Sequence, residues 1–112
     1  MRITQDQPLK EHNTFGLDVR AAFFITLESE EDVRTLARDE YFRTMPFITI
    51  GEGSNLLFNG DFKGAVLRYT GSDVTIISED DSAVRLRVEA GKRWHDLVTE
   101  TTKKGWWGIE NL

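Results

Sequence analysis

No cysteine occurs in the 112 residues. That removes disulfides, thiolate-held zinc, iron–sulfur clusters and thiol nucleophiles together. Histidine is nearly as scarce. His12 and His95 stand far apart, without the spacing of a metal site, and read as surface or packing residues. Long apolar runs are missing too. The longest, Ala21 to Ile25, is far too short to span a bilayer. The first residues, Met1 to Asp6, carry no apolar signal core, so the cytoplasm is the expected compartment. Basic charge is in deficit, with 14 Lys and Arg against 19 Asp and Glu and a net charge of −5. That argues against a general nucleic-acid or anionic-membrane binder. It leaves room for a local phosphate site, because backbone N–H groups hold phosphate without net charge.

What is present is enough for a core: 39% of the residues are hydrophobic. The length suits one ordinary domain or a little less than two small ones. The stretch to Gly16 is polar and contains a turn-like cluster, Asn13-Thr14-Phe15-Gly16. Val19 to Leu27 reads as a strand. Ser29 reads as an N-cap, with Glu30, Glu31 and Asp32 in the first turn of a helix. Val33, Leu36, Ala37 and Tyr41 mark its apolar stripe. Phe47 to Ile50 is a short strand. Strand, helix, strand implies a βαβ unit with parallel neighbouring strands. Further on, Ala65 to Leu67, Val74 to Ile77 and the alternating Val84 to Ala90 read as strands, the last two of antiparallel character. A subdomain boundary is expected near residue 70. A second helix is expected from about Arg93 to Lys104, with Trp94, Leu97, Val98 and Thr101 on one face, a Glu100–Lys104 pair, and Gly105 as its stop. The apolar ending from Trp106 to Leu112 suggests a fragment of a longer chain.

The chemical content lies in Gly51, Glu52, Gly53, Ser54, Asn55 and Leu56. This segment leaves the carboxyl end of a strand in an α/β unit, where ligands collect. Its glycines permit positive φ and close approach, so its N–H groups suit a phosphate or pyrophosphate, or simply a turn. It is neither a Rossmann fingerprint nor a Walker loop. Glu52 must point away from any phosphate. Glu79 to Asp81 offers calcium ligands or a solvated hairpin tip. Trp94, Trp106 and Trp107 offer ring stacking or ordinary packing. No catalytic set and no metal site is assigned.

Four segments taken in order carry more than any one of them. They are Asn13 to Gly16, Gly51 to Leu57, Ala90-Gly91-Lys92-Arg93-Trp94-His95-Asp96-Leu97-Val98, and Gly108-Ile109-Glu110-Asn111-Leu112. In this order and spacing the chain resembles the N-terminal part of the UDP-N-acetylenolpyruvoylglucosamine reductase family of bacterial cell-wall synthesis. The resemblance implies an α+β or α/β chain with the FAD-binding fold of the vanillyl-alcohol-oxidase type. Residues 1–70 would form a first FAD-binding subdomain, and residues 71–112 the start of a second with antiparallel strands. FAD would be held non-covalently, its pyrophosphate wrapped by Gly51 to Leu56. The family uses NADPH to reduce the flavin, which then reduces UDP-N-acetylglucosamine enolpyruvate. The family's catalytic arginine, serine and glutamate match no residue here, so this chain alone is expected to be inactive. Two rivals remain: another flavoenzyme of the same fold, and a non-catalytic nucleotide-binding module. Under the flavin reading, Gly53→Val is expected to crowd the pyrophosphate.

Overall fold

The computed structural model describes residues 1–53 and 56–111. The chain divides into two compact units, Met1–Thr70 and Gly71–Leu112.

The first unit contains strands β1 (Arg2–Pro8), β2 (Arg20–Leu27), β3 (Phe47–Ile50) and β4 (Phe62–Tyr69), with helices α1 (Glu30–Arg38) and α2 (Glu40–Arg43) between β2 and β3. Ser29 caps α1 as its sequence suggests, accepting from the Asp32 N–H at 3.2 Å. The Asp32 carboxylate in turn accepts from the Glu28 N–H, one residue before the cap, at 2.8 Å, which fixes the entry to the helix. That bond leads the influences holding the Asp32 carboxyl below its ordinary range. Asp39 then ends α1 and starts α2, accepting from the N–H groups of Tyr41 and Phe42. Tyr41 therefore leaves the expected α1 stripe. It packs edge-on against Phe23 and Phe42 instead.

The sheet order is β1-β2-β4-β3. β2 and β3 are thus parallel, as a βαβ unit requires, but they are not neighbours. β4 lies between them and pairs parallel with both. The composition of β4 explains the correction. Gly64, Ala65 and Val66 are buried in succession, which suits a central strand covered on both faces. β3, only four residues long, takes the edge. β1 closes the other edge antiparallel to β2. The sequence marks no strand over Arg2–Pro8, where Ile3 is the one large apolar residue and no apolar alternation shows.

Two cores follow from the pleat. On one face Ile25, Leu27 and Ala65 pack with Leu36, Phe42 and Met45 from the helical segment. On the other face Leu9, Phe24, Ile50, Phe58 and Val66 pack with Leu17 and Leu56. No helix lies among the residues that form this second core. Its cover comes from the loop after β1 and from the segment after the glycine loop.

The second unit is a hairpin, β5 (Val74–Glu79) and β6 (Val84–Val88), followed by α3 (Trp94–Lys103). Asp80 closes the hairpin, accepting from the Ser82 and Ala83 N–H groups and the Ser82 hydroxyl. Those bonds hold its carboxyl below the ordinary range. Its Oδ1 accepts all three of these bonds. Leu97 and Thr101 are the buried positions of α3, while Trp94 is 46% exposed rather than part of a buried face. Gly105 (φ +75) stops the helix. The Gly105 N–H donates to the Thr102 carbonyl and the Trp106 N–H to that of Thr101, the paired bonds of a Schellman ending. Glu100 does not pair with Lys104. It takes Lys92 at 2.5 Å, and Lys104 lies over the Trp106 ring.

Candidate functional site

The glycine loop begins where β3 ends, at the carboxyl end of a parallel strand. Gly51 and Glu52 are exposed, and among the described residues nothing crowds the position a Gly51 Cβ would take. Gly53 is buried with φ +75. Leu56 is half-buried and packs on the core beside Leu9 and Phe24. Ser54 and Asn55, also expected to hold phosphate, lie outside the described residues.

Gly53 has an unforeseen neighbour. A Cβ there would stand 2.1 Å from the His12 carbonyl oxygen and 2.9 Å from the Asn13 Cα. The Thr14 N–H donates to the Gly53 carbonyl at 3.2 Å. The glycine is required because the chain's own N-terminal loop lies against it. The pyrophosphate argument for Gly53→Val is replaced by this contact.

Asn13 holds that N-terminal loop. It is buried, and its amide donates to the carbonyls of Leu9 (2.7 Å) and Leu17 (3.3 Å). Its Oδ1 accepts from the Leu17 N–H at 3.0 Å. One side chain thus satisfies three backbone groups of an irregular segment that has no ladder of its own. Asn13→Ala is expected to lower stability by about 2–3 kcal/mol, because buried backbone groups lose partners. Asn13→Asp is expected to fare little better, since a carboxylate accepts from Leu17 but donates to neither carbonyl. Urea unfolding with unchanged slope checks both.

Beside the loop lies a recess of about 270 Å³, lined by Arg2, Thr4, Gln7, His12, Phe24, Thr26, Arg68 and Thr70. The His12 ring stacks on Phe24 with centroids 4.3 Å apart. Burial and then Arg68 lower its pKa, with Glu11 opposing, so the ring is largely neutral at pH 7. From the sequence His12 reads as a surface or packing residue. It does pack, but it also faces this recess. The donor set of guanidinium groups and hydroxyls fits the phosphates of a dinucleotide, as does an open loop backbone at Gly51. No ion pair involving Arg2 or Arg68 occurs among the described residues.

His95 is exposed at the start of α3. Among the described residues no group of three His, Asp or Glu side chains is placed to hold a metal. No helix among them is long and apolar enough to cross a membrane.

The sequence profile of the family described as FAD binding domain matches residues 21–112. The chain belongs to that family. Its fold, a mixed sheet with helices, is that of an FAD binding domain of the vanillyl-alcohol-oxidase type. All 112 residues are 39% identical to the UDP-N-acetylenolpyruvoylglucosamine reductase of Porphyromonas gingivalis, of which they cover 33%. The reductase of Azoarcus sp. is 42% identical over 116 aligned positions, with 100% of this chain and 33% of the relative covered. The chain therefore spans about a third of the length of the curated relatives it matches. Among solved structures, the UDP-N-acetylenolpyruvylglucosamine reductase of Thermus caldophilus superposes with a TM-score of 0.64. The alignment covers 94% of this chain and 35% of that one, at 23% identity, so the likeness is one of fold.

Proposed function

We propose that this chain is the N-terminal FAD-binding part of a cytoplasmic oxidoreductase. The whole protein would reduce UDP-N-acetylglucosamine enolpyruvate with NADPH, in peptidoglycan synthesis. The observation that carries this reading is the 39% identity, over every residue of the chain, to a reductase named for that sugar. The exposed backbone at Gly51 and Glu52, just past the end of β3, supports it. Gly51, Glu52, Gly53, Ser54, Asn55 and Leu56 would hold the FAD pyrophosphate, chiefly through backbone N–H groups. Bound non-covalently, FAD supplies hydride acceptance and donation. The chain's own residues bind and orient: Gly53 seats the loop on the His12–Asn13 segment, and Leu56 anchors its far side in the core. Residues 1–70 and 71–112 would form the first FAD-binding subdomain and the beginning of the second.

The chain alone is expected to show no turnover, since no catalytic set is assigned within it. A protein carrying it at the length of its relatives is expected to consume NADPH only when the enolpyruvyl sugar is supplied. Oxidation of a sugar or lactone without NADPH would instead make it another flavoenzyme of the same fold.

A further inference from the structure

Three cross-strand partners form one row on the sheet face opposite the helices. Arg2 on β1 is in register with Thr26 on β2, and Thr26 with Arg68 on β4. Residues in register share a face, so the two guanidinium groups flank one threonine from strands about 10 Å apart. Thr70, two residues beyond Arg68, adds a hydroxyl on the same face. His12 closes the recess from the adjoining loop. Burial, and after it the nearby Arg68 charge, lowers its pKa. Among the described residues no carboxylate lines the recess. Like charges gathered on one sheet face repel and destabilise. An anion seated between them would reverse that sign. Arginine is suited to phosphate because its planar fork makes two charge-assisted bonds at once.

We propose that the recess of Arg2, Thr26, Arg68 and His12 is a phosphoryl-binding site, distinct from the backbone of the glycine loop. Its ligand is a phosphate or diphosphate group. That group belongs either to the FAD held by the neighbouring loop or to a separate phosphorylated ligand. The register continues from Arg68 to Ile50, the residue before Gly51, so the recess and the loop adjoin.

Calorimetric titration of the chain with inorganic pyrophosphate at low salt tests the site. Saturable binding is expected, about tenfold weaker in Arg68→Gln and in Arg2→Gln, with Arg68→Lys retaining most of it. Arg2 is exposed on an edge strand, so Arg2→Gln keeps the test valid should the Arg68 variant fail to fold. Absence of saturable binding, or equal affinity in wild type and both Gln variants, would overturn the proposal. FAD titration of the same variants separates the sources. A parallel loss assigns the recess to the dinucleotide, and an unchanged FAD affinity assigns it to a separate ligand. Pyrophosphate binding without any FAD binding would sink the flavin reading alone and leave this site standing.

Discussion

Gly53→Val is expected to cost the first unit about 4 kcal/mol, most of the stability of a domain at the low end of the ordinary range. Two causes add. A non-glycine residue held at φ +75 pays about 1–2 kcal/mol for left-handed backbone. Its Cβ also falls 2.1 Å from the His12 carbonyl oxygen, a backbone atom that cannot turn aside. Gly53→Ala is expected to be nearly as damaging, because the clash begins at Cβ. This separates the internal contact from crowding of a ligand. Crowding would leave the ligand-free protein at wild-type stability and would spare Ala relative to Val. Urea unfolding of the ligand-free variants decides between the two. FAD affinity is expected to fall at least tenfold in whatever fraction stays folded, since the loop can no longer close on Asn13.

The second large effect lies in β4. Gly64→Ala would place a Cβ 2.2 Å from the Pro46 carbonyl oxygen and 2.8 Å from Cε1 of Phe62. The Pro46 carbonyl accepts from the Ala65 N–H at 2.9 Å, so moving it strains the start of the β3–β4 ladder. A loss of about 3 kcal/mol is expected. β3 delivers the glycine loop, so its loosening reaches the site without touching it. Gly16 is the internal comparison. It has φ +63 but nothing within 4 Å of its Cβ position, so Gly16→Ala should cost only about 1 kcal/mol of backbone strain. Equal effects at Gly16 and Gly64 would mean that backbone conformation, and not close packing, sets the cost.

Sequence reasoning reached the features that rest on local chemistry. Ser29 announces α1 because a hydroxyl followed by acids satisfies a helix start wherever it lies. Gly105 announces the end of α3 for the matching reason at the other terminus. The hairpin shows itself through alternation in Val84–Val88. Features that rest on distant partners stayed hidden. β1 has Ile3 as its one large apolar residue and is a strand only because β2 offers it an edge. The place of β4 between β2 and β3 depends on which strand tolerates burial on both faces. Gly64-Ala65-Val66 hints at this, but only comparison with the short β3 decides it. The contact of Gly53 with His12 joins residues forty-one positions apart. The signal for it was present in Asn13, a turn residue whose side chain can tie three backbone groups, yet no periodicity marks such a role.

The central claim is that the loop from Gly51 to Leu56, with the sheet that presents it, receives the pyrophosphate of FAD. Flavin-fluorescence titration of the chain with FAD and with riboflavin, which lacks both phosphates, tests it most directly. FAD is expected to bind at least about a hundredfold more tightly, a difference near 3 kcal/mol and of the size that charge-assisted phosphate contacts supply. Equal affinity for the two would contradict the account, because recognition would then rest on the flavin ring and not on the phosphates.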